Sequence, residues 1–209
     1  MQLIQKYFPV LTPEQFRKFQ QISELYIDWN RKINVISRKD IAFLDEHHIL
    51  HSLSIAKFIK FAANTVVADV GTGGGFPGIP LAIMFPEVNF ILIDSIAKKI
   101  RVVNEIVQNA DIRNVKTIIS RVELVKMQCD FIVSRAVTAL PEFYKLTKDL
   151  IRIEALNVFP NGIIYLKGGE FEDELKFFSE RAEVINISNY FNEPFFLTKK
   201  IVYIPVSQY

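Results

Sequence analysis

Apolar residues along this chain follow two rhythms, and the change between them falls near residue 62. Phe16, Phe19, Ile22, Tyr26 and Trp29 recur every three or four positions. So do Ile41, Leu44, Ile49, Leu53, Ile55 and Phe58, with His48 in register among them. That period predicts two amphipathic helices. Thr12-Pro13-Glu14-Gln15 reads as a capping box with proline at the first helical position, so the first helix runs over residues 13–29. Asp40 is the candidate cap of the second, which runs to about residue 60. Ala62-Ala63-Asn64 is the boundary candidate, leaving residues 1–62 as a helical extension packed on a core of 63–209.

Beyond it, short apolar runs alternate with helical stretches. Val66–Val70, Val88–Asp94, Val115–Ile119, Phe131–Arg135 and Ile163–Lys167 read as strands. Helices are predicted from Ile79, from a Ser95 cap through Ile96, Ile100, Val103, Ile106 and Val107, around 140–153, and from Glu170 to Arg181. Two last strands, near Glu183–Ser188 and Lys200–Val206, have no long helix between them. The alternation predicts an α/β fold, a mostly parallel sheet with helices on both faces, and the last pair suggests an antiparallel edge.

Half of the 209 residues are apolar, with 18 Phe, enough for one large core. A net charge of +2 is too mild to demand a nucleic-acid partner by itself. The single cysteine, Cys129, excludes an internal disulfide and reads as a buried small hydrophobe. Neither a leader-like apolar segment at Met1–Lys6 nor a run of ~20 apolar residues occurs. A soluble cytoplasmic protein is expected. His47 and His51 have metal-ligand spacing, but no third ligand cluster follows, so packing or an RNA-facing surface is favoured and no metal is expected.

The chemistry concentrates at Asp69-Val70-Gly71-Thr72-Gly73-Gly74-Gly75-Phe76-Pro77-Gly78, where a strand ends on glycine in four of five positions. Glycine gives positive φ and close backbone approach, and a helix N-terminus follows, so the stretch reads as a nucleotide-type pocket. Gly73 to Gly78 also matches G-x-G-x-x-G, with Asp94 near the offset of a ribose-binding acid, so an NAD(P)-dependent oxidoreductase is one alternative. Asp69 would repel a pyrophosphate and suits a cationic, phosphate-free ligand such as S-adenosylmethionine. Lys98, Lys99 and Arg101 open the next helix, where the dipole disfavours cations, which suggests an anionic partner.

The string from Asp69 to Ile83, with its Phe76-Pro77-Gly78-Ile79-Pro80-Leu81 tail, resembles the bacterial ribosomal RNA small-subunit methyltransferase G family, also called glucose-inhibited division protein B. Leu92–Arg101, Ser120–Glu123, Ser134-Arg135-Ala136, Leu166-Lys167-Gly168, Trp29-Asn30 and His48–Ser52 agree in order, so the likeness spans residues 12–168. It implies a seven-stranded Rossmann-like class I methyltransferase with an N-terminal helical extension. It also implies methyl transfer from S-adenosylmethionine to N7 of one guanine in 16S rRNA of the small ribosomal subunit. Gly71 and Phe76 would line the cofactor pocket, together with Asp69, Gly73 and Gly75 of the same loop. Val122 and Glu123 would meet adenine, and Asp94 would take the ribose hydroxyls. Arg135 would close the site, and Arg135 and Lys167 would orient the guanine without a general base. Arg31, Lys32, Lys98, Lys99 and Arg101 would contact RNA backbone, with Lys199 and Lys200 as further candidates. The protein would act as a monomer. His51 stands where the family often has Asp, and Val122 where small residues are common. A non-catalytic RNA-binding protein is the remaining alternative.

Overall fold

The computed structural model describes residues 1–135, 137–178 and 181–206. Ala136 of the Ser134-Arg135-Ala136 string, and residues 179–180 of the expected acidic helix, lie outside the described residues. Among the described residues seven strands form one sheet. They are β1 (Val66–Val70), β2 (Asn89–Asp94), β3 (Val115–Ile119), β4 (Phe131–Arg135), β5 (Gly162–Gly168), β6 (Glu183–Asn186) and β7 (Lys199–Pro205). Their order is β3-β2-β1-β4-β5-β7-β6. The first five strands pair in parallel, while β7 pairs antiparallel with both β5 and β6. The antiparallel edge is the one expected from the short loop between the last two strands, since a parallel return needs a crossover helix.

The helices are α1 (Gln2–Tyr7), α2 (Pro13–Lys32), α3 (His51–Phe58), α4 (Gly78–Met84), α5 (Ala97–Asn109), α6 (Leu140–Thr147) and α7 (Glu172–Leu175). The capping box on α2 forms as expected, Thr12 Oγ1 accepting from the Gln15 backbone and Gln15 returning to Thr12. One apolar cluster joins Ile4, Phe19, Ile22 and Tyr26 of the N-terminal segment to Ile79, Phe90, Phe131 and Leu166 of the sheet region. Helix α1 has no counterpart among the expected elements. It buries Ile4, and its Lys6 and Tyr7 side chains both donate to the Glu193 carboxylate near the other end of the chain.

Several boundaries differ from the sequence reading. The stretch 40–60 is not one α-helix: a 3-10 turn at Ile41–Phe43 leads into a π-helical stretch at Leu44–Leu50 and then α3. Asp40 does not cap it, because that carboxylate is taken by two histidine rings. Helix α5 begins at Ala97 rather than behind a Ser95 cap, and Asp94 Oδ1 accepts the Ile96 N–H instead. Helix α6 stops at Thr147, since the chain turns at Lys148–Leu150 so that Ile151 can bridge to Cys129. The expected acidic helix reduces to the four residues of α7. Cys129 is fully buried, and burial pushes its thiol up to about 12.

Candidate functional site

A cleft of about 570 Å3 opens beside the C-terminal ends of β1, β2 and β4. Because β2 lies on one side of β1 and β4 on the other, this is where the strand order reverses, the usual ligand site of open α/β sheets. Its lining includes Gly71, Gly73, Phe76, Asp94, Val122, Glu123 and Arg135 from the sequence reading, along with Lys99.

One wall is the glycine loop. Gly71 and Thr72 donate their backbone N–H groups to the Ile93 carbonyl at 2.8 and 3.0 Å, tying the loop to β2. Gly73 donates to Asp94 Oδ2 at 2.9 Å. Gly73 has φ +58°, and a Cβ added there would meet only the Gly71 carbonyl at 3.9 Å, so the space before it is open to a ligand. Gly75, with φ +99°, faces inward, where a Cβ would lie 2.6 Å from Ile79 and 2.8 Å from the Tyr26 hydroxyl. It shapes the loop from behind and does not line the cleft.

Asp69 is likewise absent from the lining, contrary to the expectation that it would face a cationic cofactor. It is fully buried, and Oδ2 accepts from Thr72 Oγ1 at 2.6 Å and from the Gly78 N–H at 2.8 Å. It therefore clamps both ends of the loop. Its Oδ1 has no partner, and burial raises the carboxyl to about 7. An acid closing a strand looks the same in sequence whether it seals a loop or meets a ligand. Here Asp69 seals, and its neighbour Asp94 reaches the cleft.

The opposite wall is Arg135, at the end of β4. Its guanidinium lies 5.3 Å from the centre of the Phe76 ring. Nη1 donates to the His47 carbonyl at 3.1 Å, and Nη2 sits 2.9 Å from His48 Nδ1. His48 Nε2 is 2.5 Å from Asp40 Oδ2, and His47 Nδ1 is 2.6 Å from Asp40 Oδ1. A guanidinium can only donate, so His48 Nδ1 accepts, and the ring's proton sits on Nε2 and goes to Asp40. Burial, with Arg135 adding to it, lowers His48 to about 4, so the ring is neutral. Burial works against Asp40's ionisation, but hydrogen bonds from His47 and His48 hold its carboxyl below the usual range.

The N-terminal segment also backs the loop wall. Tyr26 on α2 donates its hydroxyl to the Gly74 carbonyl at 2.6 Å, and its ring packs 4.7 Å from that of Phe76. Asn30 Oδ1 accepts the backbone N–H groups of Val35 and Ile36, which presents Val35 to Gly74 and to the cleft. Tyr26, Asn30, His48 and Asp40 are not among the expected site residues. Trp29-Asn30 and His48–Ser52 stand out in the sequence only as part of a likeness.

Lys167 does not line the cleft. It pairs with Glu174 at 2.7 Å, and Glu174 also accepts the Leu140 N–H at the start of α6. Lys98 and Arg101 are exposed on α5, while Lys99 turns into the cleft. Arg31 pairs with Asp28, Lys32 lies over the Trp29 ring, Lys199 over Phe195, and Lys200 donates to Asn186. Lys98, Arg101, Arg31 and Lys32 thus lie outside the cleft, on α5 and α2. His47 is engaged by Asp40. His51 is buried edge-on to Phe195 and Phe196, with Nε2 unpartnered and its basicity lowered by that burial. Among the described residues no group of three or more His, Cys, Asp or Glu is arranged to hold a metal ion.

Strand order, glycine loop and cleft together define a Rossmann-like methyltransferase fold. A solved S-adenosylmethionine-dependent methyltransferase from Aquifex aeolicus superposes with a TM-score of 0.57 at 18% identity, over 81% of this chain and 98% of that one. Residues 15–199 match the family model described as rRNA small subunit methyltransferase G, and the chain belongs to that family. Ribosomal RNA small subunit methyltransferase G of Flavobacterium johnsoniae is 55% identical over 206 residues, covering 99% of this chain and 98% of its own length. The Bacteroides fragilis protein of that name is 52% identical over 206 residues, covering 99% of this chain and all of its own.

Proposed function

We propose that this protein transfers a methyl group from S-adenosylmethionine to N7 of one guanine in 16S rRNA, as a cytoplasmic monomer acting on that RNA, alone or in the small ribosomal subunit. The observation that carries the reading is the open approach at Gly73 beside Asp94, inside a cleft sized for a nucleoside-bearing cofactor. Family membership supplies the substrate. Gly71, Gly73, Phe76 and Asp94 would hold the cofactor, with Val122 and Glu123 at its adenine end. Asp94 already accepts two backbone N–H groups, and each oxygen keeps a second acceptor site for a ribose hydroxyl.

When bound, S-adenosylmethionine supplies an electrophilic methyl group. Guanine N7 carries an in-plane lone pair and no proton, so the chain needs orientation and no general base. Arg135, which shares the cleft lining with Lys99 and Arg121, would orient the guanine or a phosphate of the same strand. Lys98, Lys99, Arg101, Arg31 and Lys32 would hold RNA backbone, which positions without specifying sequence. Residues 1–62 belong to the same structural unit as 63–209, a reading supported by the contacts of Tyr26 and Val35 with Gly74.

The test is methyl transfer to 16S rRNA from cells lacking this protein, followed by mapping of the modified base. Label on one guanine N7, abolished by Gly73→Asp, is the expected result. Label elsewhere, no label, or function that survives Gly73→Asp overturns the reading.

A further inference from the structure

The Arg135 guanidinium at the cleft is held by residues 87 and 88 positions earlier in the chain. Each support is specified by geometry. The π-helical stretch at Leu44–Leu50 carries two consecutive histidines that both reach back to one carboxylate, Asp40. π-helical turns are rare and collect at functional sites. The bidentate use of Asp40 fixes the His48 ring, whose remaining nitrogen is then available only as an acceptor. The His47 carbonyl takes the second guanidinium arm. The Phe76 ring lies under the guanidinium and is itself packed against Tyr26 and His48.

We propose that Asp40 and His48 are positioning residues that fix the Arg135 guanidinium over Phe76, so that methyl transfer depends on a support built by the N-terminal segment. The proposal rests on the methyltransferase reading above. Two N–H groups of Arg135 are spent on the support, which leaves the rest of its fork for substrate in one orientation. A freely rotating guanidinium would have to be ordered at each turnover, at a cost in side-chain entropy. Groups facing His48 come from three elements: Asp40 and His47 from its own segment, Arg135 from β4 and the Phe76 ring from the glycine loop. Protonating Nδ1 would set two cations against each other, and the neutral ring avoids this.

The test is a double-mutant cycle on kcat/KM for methyl transfer to 16S rRNA, with S-adenosylhomocysteine affinity and thermal midpoint measured for each variant. His48→Phe keeps the ring and removes both hydrogen bonds, and is expected to lose about tenfold or more. His48→Gln can still accept from Arg135 and donate to Asp40, and recovers to within about threefold of wild type. In an Arg135→Ala background, His48→Phe costs less than about twofold further. Losses that multiply, a Gln variant as poor as Phe, or full activity in His48→Phe overturn the proposal. Asp40→Asn takes the place of His48→Phe if that variant does not fold: it should slow transfer in wild type and be silent without Arg135, and any other result overturns the proposal equally.

A second arm needs no RNA. The Arg135 guanidinium protons should be resolved by 15N NMR in wild type and His48→Gln, and averaged in His48→Phe. Equal signals in all three sink the positioning claim. Resolved signals with no methyl transfer by wild type sink the functional reading instead.

Discussion

The two walls of the cleft are built on different principles. The loop wall is local: Asp69, Thr72, Gly73, Gly78 and Asp94 lie within 26 residues and bond mainly through backbone N–H groups. The Arg135 wall is assembled from side chains distant in sequence and depends on Asp40 and His48. Each hides a group, Asp69 in one and His48 in the other, whose burial costs the charged form, and these two respond to pH in opposite directions. Asp69 is an acid pushed up to about 7, and His48 is a base pushed down to about 4. A short loop can stabilise itself with main-chain donors, whereas a wall drawn from separate segments must hold polar side chains in place with one another.

The largest expected effect comes from separating those two groups. Between about pH 4 and 7 the native state holds the Asp69 proton while the unfolded chain releases it, so this group costs stability as pH rises. Its upper bound is about 4 kcal/mol. Between about pH 4 and 6.5 the unfolded chain binds a proton at His48 that the native state refuses, so this group costs stability as pH falls, by about 3 kcal/mol at most. In wild type the two slopes offset through the shared window. Asp69→Asn should leave a protein that weakens more than wild type on acidification, and His48→Gln one that weakens less, with His51, whose basicity burial also lowers, keeping part of that slope. Urea midpoints across pH 4–8 measure this, and parallel curves for the two variants would break the comparison.

A smaller effect tests the loop wall alone. Gly75→Ala would place a Cβ against Ile79 and Tyr26 at a φ that L-residues avoid, costing about 2–3 kcal/mol. Stability and S-adenosylhomocysteine affinity should fall together, as expected of a wall made of its own backbone; loss of stability with affinity intact would count against it. Smallest is Tyr26→Phe, which leaves the buried Gly74 carbonyl without its donor, at about 1–2 kcal/mol. It should weaken cofactor affinity modestly. No change in a chemical melt would mean that α2 merely covers the loop.

The same division explains what the sequence makes legible. Six strands and the glycine loop can be read near their observed positions because apolar runs bounded by turn residues carry their own signal, and β6 is only slightly shorter than expected. Among the cleft residues, Gly73 and Asp94 follow from the glycine loop and the ribose-binding offset, whereas Gly71, Phe76, Val122, Glu123 and Arg135 enter through the family resemblance. Asp69 is misplaced because sequence gives the end of a strand but not the side from which its acid is approached. Lys167 is misplaced because its partner, Glu174, sits in a short helix that reads in sequence as part of a longer one. The Arg135 support is invisible for a plainer reason. A 3.6-residue period describes an α-helix, and the π-helical stretch that aims His47 and His48 at Asp40 obeys a wider one.

The clasp between α1 and Glu193 fixes an order of assembly. Lys6 and Tyr7 are separated from their carboxylate partner by 187 and 186 residues of chain. The Tyr7 carbonyl at the end of α1 is held nearby by Lys57, but the Lys6 and Tyr7 side chains have their partner only once the segment bearing Glu193 has folded against them. Contacts this far apart in sequence close slowly. This clasp is therefore expected to close late, and pulse-labelled hydrogen exchange during refolding should find the Asn192 amide, which donates to the Tyr7 hydroxyl, protected after those of β1 and β4.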